Sequence, residues 1–91
     1  MKEIRKSTQF KKDFKRIKNN RAKVLALFTV LGYLQRGEAI PKEYSPHELS
    51  NNLAGIMECH VGSDLLLLWI DEDANIVKLL RIGSHSEVLG L

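Results

Sequence analysis

Two kinds of periodicity divide the chain. From about residue 7 to 35 the apolar positions recur at helical spacing, and from 55 to 83 they recur at strand spacing. Phe10, Phe14 and Ile17 fall at i, i+4 and i+7, one face of an amphipathic helix, while Lys11, Lys12, Lys15, Arg16 and Lys18 take the other faces. Ser7 or Thr8 offers the N-cap. Asn19-Asn20 breaks the pattern. A second helix runs from about Arg21 to Gln35, with Val24, Phe28, Leu31 and Leu34 as its stripe and Leu25 and Leu27 widening it. Gly32 weakens that helix by roughly 1 kcal/mol relative to Ala, and Gly37 suits its C-terminal stop. The short link folds the two helices into a hairpin on one face of a sheet.

The strand half begins at Gly55. In an extended chain successive side chains alternate between faces. Met57, Cys59 and Val61 therefore share a core face, and Ile56, Glu58 and His60 share the other. Leu65 to Ile70 carries no charge, is too short to span a bilayer, and suits a central strand. An acidic turn, Asp71 to Asn75, leads into a third strand, Ile76 to Gly83. Lys2 to Lys6 is a further short candidate strand. Residues 38–53, broken by Pro41 and Pro46, read as a connector, and Ser84 to Leu91 as a short tail. The predicted order is β-α-α-β-β-β. It implies an α+β fold: a small, mainly antiparallel sheet with the N-terminal helical hairpin packed on it. The expected core is Phe10, Phe14, Val24, Phe28, Leu31, Met57, Leu66 and Leu68.

Size and composition narrow the class. A chain of 91 residues holds one core, so residues 1–91 are expected to form one domain. A hydrophobic content of 44% excludes disorder. Charge begins at Lys2 with no apolar h-region, so no signal peptide is expected. The lone Cys59 cannot form an internal disulfide and fits a reduced, cytoplasmic protein. The net charge of +3 conceals a split: residues 1–46 balance to +8 and residues 47–91 to −5. Most of the basic charge lies between Lys2 and Lys23. It reads either as contact to a polyanion, with phosphate the usual reason, or as the solvated faces of two helices.

All three histidines lie in the strand half. His47 ends the connector, His60 ends one strand and His85 follows another. Antiparallel pairing would bring His60 and His85 together, with Glu58, Asp64 and Arg81 on the same rim. Such a set suits phosphodiester cleavage in RNA. One group takes the 2′-hydroxyl proton, one protonates the leaving 5′-oxygen, and a cation stabilises the phosphorane-like charge. Histidine can fill either proton-transfer role, and Arg81 can supply the cation. Each residue also has a plainer reading: surface histidine, solvated strand carboxylate, turn aspartate, and an arginine paired with the acidic turn. The histidine spacings match no zinc-ligand motif, and no Gly-rich phosphate loop or hydrolase motif is present.

The ordered set of His47-Glu48-Leu49, Gly55 to Val61, Asp64 to Trp69 and Leu80 to Ser86, preceded by Phe10-Lys11-Lys12-Asp13-Phe14-Lys15, resembles the YafQ-like branch of the RelE toxin family. The resemblance covers nearly the whole chain. It implies the toxin of a type II toxin–antitoxin pair, a ribosome-dependent endoribonuclease (an mRNA interferase). The implied target is mRNA in the A site of the ribosome's 30S subunit. It implies attack by the RNA's own 2′-hydroxyl, with no metal and no cofactor. Matching active-site positions are His47, Glu58, His60, Asp64, Arg81 and His85, with His85 the choice for direct proton transfer. Lys11, Lys12 and Lys15 are expected on the substrate, with Leu89 at a position often aromatic in the family. Leu65 also replaces a frequent tryptophan, which bears on stacking against a base. The implied partner is a cognate antitoxin, a ribbon-helix-helix dimer whose acidic C-terminal segment wraps the toxin, giving a heterotetramer. Two alternatives remain: a gyrase poison of the ParE type, which does not need the histidine and acid cluster, and a non-catalytic RNA- or ribosome-binding module.

Overall fold

Residues 1–90 are described in the computed structural model. Strand β1 (Glu3–Lys6) leads into helices α1 (Thr8–Ile17) and α2 (Arg21–Arg36). The short strand β2 (His47–Glu48) follows, then β3 (Met57–Gly62), β4 (Leu65–Asp73), β5 (Ile76–Gly83) and a one-turn helix α3 (His85–Leu89). The strands form one sheet in the order β1-β5-β4-β3-β2. The β1–β5 pair is parallel and the others are antiparallel. The predicted α+β architecture is therefore present. The connector adds β2 as an edge strand, and the tail adds α3. Leu91 lies outside the described residues.

Local chemistry sets the helix ends. The Ser7 side chain accepts from the Phe10 N–H, and the Asn20 side chain from the Lys23 N–H, each satisfying a donor the helix leaves free. Gly37 stops α2 in the left-handed conformation, φ 72°, which a residue without Cβ adopts at low cost.

The sheet has two unequal layers. Phe10, Ile17, Leu27, Val30 and Leu34 of the helices bury against Cys59, Val61, Leu65, Leu67, Trp69, Val77, Leu79 and Ile82. On the opposite face Leu66 and Leu68 pack with Val88 of α3, helped by Leu49, Ile56, Leu80 and Leu89. β4 is thus buried on both faces, which is why its sequence reads as an unbroken apolar run. Leu66 and Leu68 are core residues as expected, though under α3 rather than under the helical hairpin.

The expected stripe of α2 needs correction. Phe28 is 56% exposed and Val24 half-buried, whereas Leu27, Val30 and Leu34 face the sheet. Eight of the eleven residues from Val24 to Leu34 are Val, Leu, Ala or Phe, so two phases of the 3.6-residue pattern are nearly equivalent. Docking on the sheet, not the sequence pattern, selects between them.

Candidate active site

The register of the sheet assembles the histidines. His60 on β3 pairs with Leu66 on β4, which pairs with Gly83 on β5, so His85 starts α3 just past the same line. The His60 and His85 rings stand 5.7 Å apart in an edge-to-face arrangement. β2 pairs with β3 so that His47 lies opposite Glu58. His47, His60 and His85 remain solvent-accessible, while Glu58 is buried at their base.

Asp64 fixes His85. Its Oδ1 accepts from both the His85 backbone N–H and the His85 ring Nδ1, each at 3.1 Å. A carboxylate can only accept, so the hydrogen sits on Nδ1 and Nε2 is left for the substrate. The two donors, backbone first and ring second, hold the Asp64 carboxyl below its usual range, and Lys23 adds in the same direction. Asp64 reaches this position from a left-handed backbone, φ 48°, in the turn between β3 and β4. Aspartate tolerates that conformation better than most residues.

Glu58 serves the other two imidazoles. Its Oε1 lies 3.2 Å from His47 Nε2 and 4.0 Å from His60 Nε2. The first is close enough to pair with the imidazole when it carries a proton; the second is too long for a hydrogen bond. His47 Nδ1 is 2.7 Å from the Ser45 carbonyl oxygen, which only accepts, so Nδ1 carries a hydrogen. Glu58 Oε2 is buried with no hydrogen-bond partner among the described residues. A buried acceptor without a donor is costly. Cys59, next in sequence, points into the helical layer. Burial, then the Glu58 charge, pushes its thiol up to about 12, so it is no nucleophile at neutral pH.

Five of the six expected catalytic residues therefore gather on one rim. Arg81 takes other contacts. Its Nε and Nη2 fork onto both oxygens of Asp13 at 2.7 and 3.2 Å, and Nη2 also donates to the Glu87 carbonyl at 3.0 Å. It pairs with α1, not with the acidic turn, and none of its hydrogen bonds goes to the histidines. Lys11, Lys12 and Lys15 stand exposed on α1. Leu89 is half-buried against Leu66, Leu68 and Val88, and Leu65 is buried in the helical layer. Neither side chain is free to stack on a base as placed.

Two residues escaped the sequence reading. Asp13, fully buried, does carry a signal: it sits inside the apolar stripe, three residues after Phe10 and four before Ile17. Lys23 carries none. It lines a cavity of about 310 Å³ with Asn20, Ala26, Gly62, Ser63 and Leu65, beside the turn that holds Asp64. Among the described residues no three His, Cys, Asp or Glu side chains converge closely enough to hold a metal ion.

Residues 2–90 match the family described as the bacterial toxin of the type II toxin–antitoxin system, YafQ. The chain belongs to the YafQ family. A metal-bound toxin from Helicobacter pylori is 35% identical, with a TM-score of 0.84 over 97% of this chain and 99% of that one. YafQ from E. coli strain BL21(DE3) is 23% identical with a TM-score of 0.87, over 99% and 100% of the two chains, a likeness of fold. YafQ in the E. coli DinJ-YafQ complex is 26% identical with a TM-score of 0.77 over the same shares. A search of curated protein sequences returns no match. The family makes this chain a type II toxin with the YafQ fold, and the resemblance read in the sequence holds. No helix among the described residues is long and apolar enough to cross a membrane.

Proposed function

We propose that this YafQ-family toxin is a ribosome-dependent endoribonuclease that cuts mRNA in the A site. The observation that carries the reading is the His60–His85 pair, 5.7 Å apart, with Asp64 fixing the tautomer of His85. Two imidazoles at that separation can reach opposite sides of one phosphodiester. One accepts the 2′-hydroxyl proton as the 2′-oxygen bonds to phosphorus. The other gives its proton to the departing 5′-oxygen as the P–O5′ bond breaks, leaving a 2′,3′-cyclic phosphate and a 5′-hydroxyl. His85 transfers a proton directly. Asp64 positions His85, Glu58 positions His47, and His47 steadies the phosphate. The nucleophile is the substrate's own hydroxyl, so the step needs no metal-bound water.

The cationic surface supports RNA or ribosome binding, with Lys11, Lys12 and Lys15 on α1 and Lys23 beside the Asp64 turn. It also suits an antitoxin. DinJ accompanies YafQ in E. coli, and a cognate ribbon-helix-helix dimer with an acidic C-terminal segment is the expected partner here, in a heterotetramer acting in the cytoplasm.

The test is cleavage of mRNA on programmed ribosomes with a single 2′-deoxy nucleotide at the cut site. The all-ribo message should be cut to a cyclic phosphate product and the 2′-deoxy message should resist. Chelation that spares the ribosome's magnesium should leave the chemical step intact. Normal cutting of the 2′-deoxy message would rule the mechanism out. A toxin that copurifies with no neighbouring-gene product would remove the antitoxin assignment.

A further inference from the structure

The proton-transfer reading of the rim leaves the most buried charge among the described residues unused. Asp13 is 0% exposed, and its two oxygens receive five donors from two elements, α1 and β5. Oδ2 accepts from Arg81 Nε at 2.7 Å and the Ile82 backbone N–H at 3.1 Å. Oδ1 accepts from Arg81 Nη2 at 3.2 Å, Gln9 Nε2 at 3.1 Å and Arg16 Nη1 at 3.5 Å. Core packing alone asks for no carboxylate there, because replacing a buried ion pair by well-fitting apolar side chains is often neutral for stability.

The far side of Arg81 shows where the constraint goes. Nη2 also donates to the carbonyl of Glu87, in α3. That helix has five residues, too few to hold its shape alone. It is tied at three points. Ser84 and Glu87 form a reciprocal capping box at its start. Asp64 accepts from the His85 N–H. Arg81 grips the Glu87 carbonyl. Gly83 lets the helix close on the strand, since a Cβ there would meet Glu87 Oε1 at 2.9 Å and Val88 Cγ1 at 3.2 Å.

We propose that Asp13 is a positioning residue for His85: its buried carboxylate locks the Arg81 guanidinium, and Arg81 holds by the Glu87 carbonyl the short helix that carries His85. The idea rests on the reading of His85 as a proton-transfer group. The Asp13–Arg81 pair thus couples the basic helix α1 to the histidine rim across β5. Burial pushes the Asp13 carboxyl up, but donation from Arg81, Gln9 and the Ile82 N–H, with the Arg81 charge, outweighs it and holds the group below its ordinary value. The pair is therefore charged at neutral pH, which keeps the Arg81 fork on Asp13 while Nη2 donates to the Glu87 carbonyl. Asparagine cannot replace Asp13, because its amide would turn a donor toward donors.

Asp13→Asn in the full-length toxin tests this with two readouts. The first is cleavage on ribosomes, corrected for the folded fraction by circular dichroism. Loss of alignment at His85 should lower it roughly 10- to 100-fold, with ribosome binding unchanged. The second is the His85 ring in long-range ¹H–¹⁵N correlation, well below the melting temperature. The wild type should show the Nδ1–H tautomer and the variant a mixture of tautomers, a change that simple destabilisation of a still-folded protein does not produce. Arg81→Lys keeps the cation but loses the fork, should reproduce both effects, and serves if Asp13→Asn does not fold. The double variant should be no worse than the weaker single. Folded variants with the wild-type tautomer and wild-type cleavage would overturn the proposal. A tautomer change in a protein whose wild type does not cut mRNA would sink the ribonuclease reading and leave the positioning role standing.

Discussion

Asp64 accepts from both the ring and the backbone N–H of His85, so one carboxylate oxygen fixes the imidazole and the first residue of the helix that bears it. The two residues lie 21 positions apart and meet because β4 and β5 pair antiparallel in between. If His85 moves a proton in the transition state, His85→Ala should slow cleavage by on the order of 10² to 10⁴. Its stability should hardly change, because the side chain is exposed.

Asp64→Asn and Asp64→Ala separate positioning from backbone geometry. Asparagine keeps one oxygen acceptor and tolerates φ 48°. Alanine loses the acceptor and tolerates that backbone poorly, at about 1–2 kcal/mol. Chemical denaturation should find Asp64→Ala the less stable, while single-turnover cleavage should fall in both. Full activity in Asp64→Ala would remove the orienting role.

The split between basic helices and histidine rim gives a second measurable separation. Neutralising Lys11, Lys12 and Lys15 together should weaken ribosome or RNA association and flatten its salt dependence by about 0.7–0.9 per lost phosphate contact. Cleavage at saturating ribosome should change far less. An unchanged salt slope would make this face a solvated surface or an antitoxin site.

Much of the fold was legible because α1, β3 and β5 each carry one clean period and β4 is an unbroken apolar run. Phe10 and Ile17 could face only inward, and Leu65 to Trp69 could only be a doubly covered strand. The site was legible in part. His60 and His85 follow from strand register, and Asp64 from its place in the turn between them. Other features depend on distances that no spacing encodes. β2 has two residues and no pattern of its own, yet it sets His47 against Glu58. α3 is held by Arg81, Asp64 and the capping box rather than by propensity. Arg81 was expected on the rim because cations suit phosphates, but a buried carboxylate at Asp13 outcompetes solvent for its fork.

The rotated face of α2 is open to a stability test. Leu27 is fully buried and Phe28 is 56% exposed. Leu27→Ala should cost about 2–5 kcal/mol, the usual range for a core leucine that leaves a cavity. Phe28→Ala should stay within about 0.5 kcal/mol, as for a surface change. Equal losses in urea titration would return Phe28 to the core.

Acid stability follows from the sign of the carboxylate shifts. Asp13 is held below its ordinary value of 3.8 in the fold, despite burial, by the donors from Arg81, Gln9 and Ile82. Asp64 and Glu87 are lowered too, each chiefly by a backbone N–H, from His85 and Ser84 respectively. A folded value below the unfolded one means that the unfolded chain binds more protons as pH drops. The stabilisation is therefore complete above the ordinary carboxylate range of about 4, and is lost as pH falls through the lowered folded values. Urea midpoints measured downward from about pH 5 should hold, then fall below about pH 4. Asp13→Asn has no carboxyl to protonate. It should be less stable above that range and lose less across it, so the two curves should converge in acid. Parallel curves would show that Asp13 titrates alike in the folded and unfolded chain, and that the clamp on Arg81 contributes nothing through its charge.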